Sequence, residues 1–382
     1  MRVCTPHCGL DPETRLGGEM YELEVLREMA ARGTVFDILL ARHKRSPEDV
    51  RNWVIHRLPF GRGLRWPVAA VVLPPFIKRV WDRTPFDVLR VHSLRYIGPA
   101  AIIARRRYRL DVPIVAHHHH LDPGWLNPLI ESRVLRAANR VVVGSDFTRR
   151  QATAELGVSP DKMTVVPYGV DRAFRPGPKP EALARRLGVA GRPVALFLGG
   201  LQPRKNLHLL LDAWHEVGRS RPEAVLLIAG AGRLLGALRR HARRLGDDGR
   251  VVFTGHVPAS EKVAYYNLAD LMLFPSMLEG FGLAVAEAMS CAVPAVVSNQ
   301  GSLPELVVDG DSGLVCDPLD RVALVGRTLR LLSDAGLRRR LGEGARERVD
   351  RFFRWDVCAA ATARVYEDVV DEWRARRASG RR

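Results

Sequence analysis

The chain has 382 residues with 59 Lys+Arg against 42 Asp+Glu, a formal net charge of +17. Hydrophobic residues make up 47% and charged residues 26% of it. These are globular proportions, so a disordered or fibrous chain is excluded, and the length suits about two domains. Only six of the basic residues are lysines, and residues 1–180 carry +11 of the excess. Such a charge is expected to attract an anionic partner: nucleic acid, acidic lipid or a phosphorylated substrate. Five scattered cysteines (4, 8, 291, 316, 358) argue against a disulfide framework and for a reducing compartment. Cys4 and Cys8 have no second pair, so no zinc site is expected. The N-terminus has no signal-peptide core, and the longest apolar run, Trp66–Ile77, carries three prolines and is too short to span a bilayer. The expectation is a cytoplasmic protein, with attachment to the inner membrane face left open.

In chain order, a first strand (2–6) leads through 7–16, read as a candidate lid, to Gly17-Gly18 and a helix over 18–32. A glycine pair between strand and helix lets backbone approach a ligand closely. Strands then follow at 34–42, 52–58, 86–92, 112–117, 140–144 and 163–167. Helices are predicted near 64–82, 97–107, 124–138 and 146–156. The fourth of these strand regions runs into His117-His118-His119-His120. Consecutive strand residues point to opposite faces, so four histidines cannot converge on one ion, and no metal is expected there. The proline-rich stretch 173–190 reads as a linker.

The second half repeats the alternation, with strands at 193–199, 224–229, 250–254, 271–275 and 294–298. Its helices are predicted near 206–218, 232–245, 260–268, 282–291 and 319–350. Short apolar strands separated by helices signal parallel sheets covered on both faces. Two such blocks predict two doubly wound α/β domains. Leu198–Asn206 ends a strand and places Arg204 and Lys205 just before a helix, with Asn206 as candidate N-cap. Cations beside a helix N-terminus suit a diphosphate. Glu279-Gly280-Phe281-Gly282-Leu283 opens the helix that carries Glu287. Its N–H groups form an anion site, and two carboxylates eight residues apart suit ligand hydroxyls.

Glu279–Met289 resembles the E-x7-E motif of retaining glycosyltransferases, the large glycosyltransferase family four of group 1 type with bacterial mannosyl- and glucosyltransferases. The resemblance implies a GT-B fold, two Rossmann-like domains facing a central cleft. Residues 1–172 would form the acceptor domain, 191–354 the nucleotide-sugar domain, and 355–382 would return to the first. It implies that Glu279 meets donor-sugar hydroxyls and Glu287 the ribose. The backbone of Gly280, Phe281, Gly282 and Leu283 would lie near sugar and phosphates, Gly17 and Gly18 near the pyrophosphate, and Val257 near the base. Arg204 and Lys205 would bind the diphosphate; many members have Gly-Arg where this chain has Gly199-Gly200. The family histidine, six residues after Pro113, falls at His119, with His118 or His120 as the alternatives for a one-residue slip. The catalytic set is then His119, Glu279, Arg204 and Lys205.

The implied activity is transfer of a mannose- or glucose-type sugar from a GDP-, UDP- or ADP-linked donor to a hydroxyl acceptor in glycan, glycolipid or polysaccharide synthesis. The donor is a co-substrate and no cofactor is expected, since no Asp-x-Asp sits at a strand end to bind a metal. A lipid-linked or anionic acceptor, and contact of 62–79 with an anionic membrane, are further expectations. A sugar phosphorylase of the same fold is the alternative. A basic nucleic-acid-binding protein is the weaker one, because no binding signature is present.

Overall fold

The computed structural model describes residues 1–12, 17–60, 68–119, 127–247 and 249–379. The chain divides into two compact units, Met1–Gly169 with Trp355–Arg382, and Val170–Arg354.

In the first unit the order is β1 (Arg2–His7), α1 (Gly17–Ala31), β2 (Val35–Ala41), β3 (Trp53–Leu58), α2 (Val68–Arg83), β4 (Val88–Val91), α3 (Ile97–Arg107), β5 (Ile114–His118), α4 (Asn127–Ala137), β6 (Arg140–Val143), α5 (Asp146–Leu156) and β7 (Met163–Val165). The strands form one parallel sheet in the order β3-β2-β1-β4-β5-β6-β7. The inner strands are apolar on both faces because helices cover both; every residue of β4 and β5 is buried. Local signals agree with the fold at α5, where Ser145 caps the first turn (Oγ accepts from Thr148 N, 3.1 Å) and Gly157 closes it at φ 61°. The C-terminal helix, Trp355–Ala378, packs on α1. Gly169 precedes that junction, and a Cβ there would lie 2.3 Å from Trp355 N.

The second unit runs α6 (Glu181–Arg186), β8 (Val194–Leu198), α7 (Leu207–Ser220), β9 (Val225–Ala229), α8 (Leu235–Arg244), β10 (Val251–Gly255), α9 (Lys262–Leu268), β11 (Leu271–Phe274), α10 (Leu283–Ser290), β12 (Ala295–Ser298), α11 (Leu303–Leu306), β13 (Gly313–Cys316), α12 (Arg321–Ser333) and α13 (Ala335–Phe352). The terminal helix is then α14. Its parallel sheet has the order β10-β9-β8-β11-β12-β13. In each sheet the strand order reverses once, between β1 and β4 and between β8 and β11. Such reversals open a crevice at the carboxyl ends of the strands, where ligands of open α/β sheets bind.

Three expectations are corrected. The stretch 173–190 is not a free linker: it lies in the second unit and contains α6. Side chains tie down its main chain and its lysine, with Ser290 Oγ donating to Phe174 O (2.6 Å), Gly177 N to Asn267 Oδ1 (3.1 Å) and Lys179 pairing with Asp270 (2.7 Å). The single helix expected over 319–350 is two, because Asp334 leaves helical geometry (φ −117°, ψ 98°) and caps α13 by accepting from Leu337 N at 2.8 Å. Strand β13 is an addition; it is only four residues long and opens on Gly313, where a Cβ would press on Val307 and Ala295. Positions 13–16 of the expected lid, 62–67 of the apolar segment, and His120 lie outside the described residues.

Candidate active site

In the second unit the exits of β8 and β11 bring the expected residues together. After β8 the chain passes Gly199-Gly200 and makes a single 3₁₀ turn, Pro203–Lys205. Asn206 follows in the left-handed region (φ 55°, ψ 38°), which asparagine tolerates better than most residues. It occupies the N-cap position without capping: its side chain donates instead to Pro318 O at 2.7 Å. The capping role read from the sequence is thus corrected, while the turn sets Arg204 and Lys205 against the loop after β11.

That loop supplies Ser276 and Glu279. Lys205 Nζ pairs with Glu279 Oε1, which also accepts from Arg204 (2.7 Å) and Ser276 Oγ (2.6 Å). The ammonium sits 4.5 Å from the centroid of the Phe274 ring, and Lys205 as a whole is only 6% exposed. Burial pushes the Lys205 ammonium below its ordinary pKa; the Glu279 carboxylate opposes this and the neighbouring Arg204 adds to it. Ser302 donates through both N and Oγ to Glu279 O at 3.1 Å. Gly301 passes so close (φ 64°) that a Cβ would lie 2.5 Å from that oxygen. The loop therefore holds Glu279 by its main chain as well as by its carboxylate.

Gly280 and Phe281 lead to Gly282 (φ 97°), and α10 starts at Leu283. The first N–H groups of a helix have no intrahelical acceptor and sit at its positive end. Glu287 lies in the second turn, buried, and does not share Glu279's partners. Lys262 reaches both its oxygens (2.9 and 3.1 Å) and Tyr266 donates to it at 2.6 Å. Burial, with Glu287 beside it, pushes the Tyr266 hydroxyl well above its ordinary value, so it stays a donor. Lys262, Tyr266 and Ser276 escaped the sequence reading; the four-residue spacing of Lys262 and Tyr266 on one helix face was the available signal. Val257 lies buried just past β10. Gly230 and Gly232 have a packing reason: a Cβ would lie 1.9 Å from Gly199 O at the first and 2.4 Å from Leu201 O at the second.

In the first unit Gly17 and Gly18 open α1. A Cβ on Gly18 would meet no atom of the described residues within 4 Å, so internal packing does not demand glycine there. One turn on, Glu22 is buried and gripped by a fork from the fully buried Arg90. His7 Nε2 lies 3.2 Å from Glu22 Oε2, and His119 Nε2 lies 3.2 Å from Oε1. The other ring nitrogen of His119 bonds the Tyr168 hydroxyl. Burial alone would raise the Glu22 carboxyl, but Arg90 and the histidine hydrogen bonds hold it well below the usual carboxylate range. Burial lowers His7, His92 and His117, which keeps these rings neutral near neutral pH.

His117 and His119 share a face, the first bonded to Tyr21 (3.1 Å) and Tyr366 (2.7 Å); His118 falls on the other. Both His117 and His118 are 1% exposed, whereas the His119 side chain is 15% exposed. Sequence reading missed Glu22, Arg90, Tyr168 and Tyr366, which come from α1, β4, the loop after β7 and α14. Ligand atoms of His7, Glu22 and His92 lie within 4.8 Å of one another. Arg90 takes both Glu22 oxygens and brings a positive charge to the same point, so the trio fits a guanidinium rather than a divalent ion.

A cavity of about 600 Å³ in the second unit lies elsewhere, lined by Lys179, Arg192, Arg221, Asp270 and Arg338 among others. Its basic groups are engaged locally: Arg338 binds carbonyls at the end of α12 (2.6 and 3.1 Å), and Arg192 binds Glu223 O at 2.8 Å. It adjoins the amino end of β8, away from the strand exits, and the chemistry is assigned to the exits.

Comparison with known proteins identifies the family. The family model described as Glycosyltransferase Family 4 matches residues 16–174, and that described as Glycosyl transferases group 1 matches residues 180–348. The chain is 31% identical to the D-inositol 3-phosphate glycosyltransferase of Acidothermus cellulolyticus, over 94% of this chain and 87% of that one. It is 33% identical to the GDP-mannose-dependent alpha-(1-6)-phosphatidylinositol monomannoside mannosyltransferase of Mycolicibacterium smegmatis, over 71% and 73%. An Anabaena protein solved in complex with UDP and glucose superposes with a TM-score of 0.78 at 19% identity, covering 96% of this chain and all (100%) of that one, a likeness of fold. The chain belongs to the group 1 glycosyltransferases of family 4 and is a glycosyltransferase of the GT-B fold.

Proposed function

We propose that this glycosyltransferase moves a mannose- or glucose-type sugar from a nucleoside diphosphate to a hydroxyl acceptor, with retention at the anomeric carbon and without a metal ion. The observation that carries the reading is the buried Lys205 ammonium at the β8 exit, sharing one carboxylate, Glu279, with Arg204. Two cations against one carboxylate leave a positive charge for a diphosphate. Among the described residues the bonds to the Glu279 carboxylate fall on Oε1, which leaves Oε2 to accept from a sugar hydroxyl. Glu287, oriented by Lys262 and Tyr266, accepts from the ribose. The N–H groups of Phe281, Gly282 and Leu283 face phosphate, Val257 main chain faces the base, Gly17 and Gly18 admit the pyrophosphate, and His119 contacts a donor-sugar hydroxyl.

In the reaction the bond from C1 to the leaving phosphate oxygen breaks and the acceptor oxygen bonds C1 on the same face. The acceptor proton passes to the leaving phosphate, and nucleoside diphosphate is released. The Mycolicibacterium relative is named for GDP-mannose, while the Anabaena neighbour holds UDP and glucose. A thermal-shift screen of GDP-, UDP- and ADP-hexoses separates these donors. With the best donor, turnover in EDTA should release nucleoside diphosphate and give a product whose anomeric proton shows the donor's configuration. An inverted product, or activity lost in EDTA and restored by Mg²⁺, overturns the mechanism; release of hexose 1-phosphate from a glycan and phosphate marks a phosphorylase.

The acceptor is proposed to be lipid-linked and met at an anionic membrane surface. No helix among the described residues is long and apolar enough to cross a membrane. α2 nevertheless exposes Val68 (45%) and Val71 (74%), with Arg79 over the Phe76 ring on the same helix. Flotation with anionic vesicles should capture the protein, and R79E should weaken capture at least about fivefold, roughly 1 kcal/mol per basic side chain. Equal capture by neutral vesicles would count against this contact.

A further inference from the structure

We propose that Glu22 is a positioning residue for His119: its carboxylate and the Tyr168 hydroxyl together fix the imidazole as its Nε2–H tautomer and fix its orientation. This rests on the reading that His119 meets the donor sugar. The argument is one of donors and acceptors. A carboxylate only accepts, so the proton between Glu22 Oε1 and His119 Nε2 belongs to the imidazole, and Nδ1 is left to accept from Tyr168. Arg90 keeps Glu22 ionised, and burial keeps the Tyr168 hydroxyl protonated.

The holder is itself held. Arg90 Nε donates to Tyr366 on α14 at 2.8 Å, and Tyr366 also bonds His117. The Tyr21 ring meets the His119 ring edge-on at 4.7 Å, and Tyr168 does so at 5.5 Å, which blocks rotation about the ring axis. His7 and His92, stacked at 3.7 Å, close the Glu22 side. A histidine with its side chain 15% exposed and restrained at both nitrogens is presented in one orientation, and in contact with the sugar its Nε2–H is shared between Glu22 Oε1, at 3.2 Å, and the hydroxyl oxygen. None of these partners is adjacent to His119 in sequence.

The test is a double-mutant cycle on the full-length enzyme combined with imidazole ¹⁵N spectra, the His119 signals being assigned by their loss in His119→Ala. Glu22→Gln should lower kcat by about 10- to 100-fold with the donor KM within about twofold. His119→Ala/Glu22→Gln should then be no slower than His119→Ala alone. The wild-type spectrum should show His119 as the Nε2–H tautomer at neutral pH, and Tyr168→Phe should move it towards a tautomer mixture. Additive losses in the double variant, or an Nδ1–H tautomer in the wild type, overturn the proposal. Should Glu22→Gln fail to fold, the same cycle run with Tyr168→Phe decides. If His119→Ala keeps wild-type kcat, the donor-contact reading of His119 falls, and the spectra still decide the positioning.

Discussion

Arg90→Met is expected to lower the unfolding free energy by about 3–5 kcal/mol, because it leaves Glu22 buried without the guanidinium that neutralises it. Removing both charges as Glu22→Met/Arg90→Met should recover much of that loss, since two apolar side chains of similar size need no compensation. The wild type also carries a pH signature. The folded Glu22 carboxyl lies well below its ordinary value of 4.5, so its contribution is fully present above that value and is lost as the pH falls towards the folded value. Stability should therefore decline in acid below about pH 4.5, and more shallowly in the double variant. Urea unfolding at several pH values measures all three. Coincident midpoints for the wild type and Arg90→Met would show that the pair contributes nothing.

Lys205→Ala should lower kcat by about 10²–10³-fold, the loss typical of a preorganised group that meets charge developing in the transition state. Glu279→Ala should cost at least about tenfold, or ~1.4 kcal/mol, through the proposed sugar contact and through Lys205, which loses the carboxylate that opposes its desolvation. Lys205→Arg should not rescue, because the ammonium sits in a buried slot against Phe274 that a planar fork does not fit. Steady-state rates at saturating donor decide the matter. Wild-type turnover in Lys205→Ala and Glu279→Ala together would end this assignment.

The sheets were legible because their strands are buried on both faces and read as near-continuous apolar runs, as in Ile114–His118 and Val225–Ala229. The grouping of Arg204, Lys205 and Glu279 was legible because each sits in one of two short motifs at a strand exit. What failed has a common cause. Asn206 looked like a cap because residue type was visible while its left-handed backbone was not. The break at Asp334 sat inside a continuous helical period, so its capping role was hidden. Arg90 lies inside a buried strand, where sequence alone offers no partner for a charge; its partners Glu22 and Tyr366 are 68 and 276 residues away. Long-range polar networks carry no periodicity to read.

The bond between Arg90 and Tyr366 also bears on how the chain is made. Residues 170–354 are contiguous and can fold as soon as they have left the ribosome, whereas the unit begun at Met1 closes only when Trp355–Arg382 has been synthesised. The sequence of the second unit is thus complete in the nascent chain before that of the first, whereas amino-terminal domains usually come first. Until Tyr366 has been synthesised, Arg90 and His117 lack the hydroxyl that both will bind, and the polar core of the first unit is unfinished.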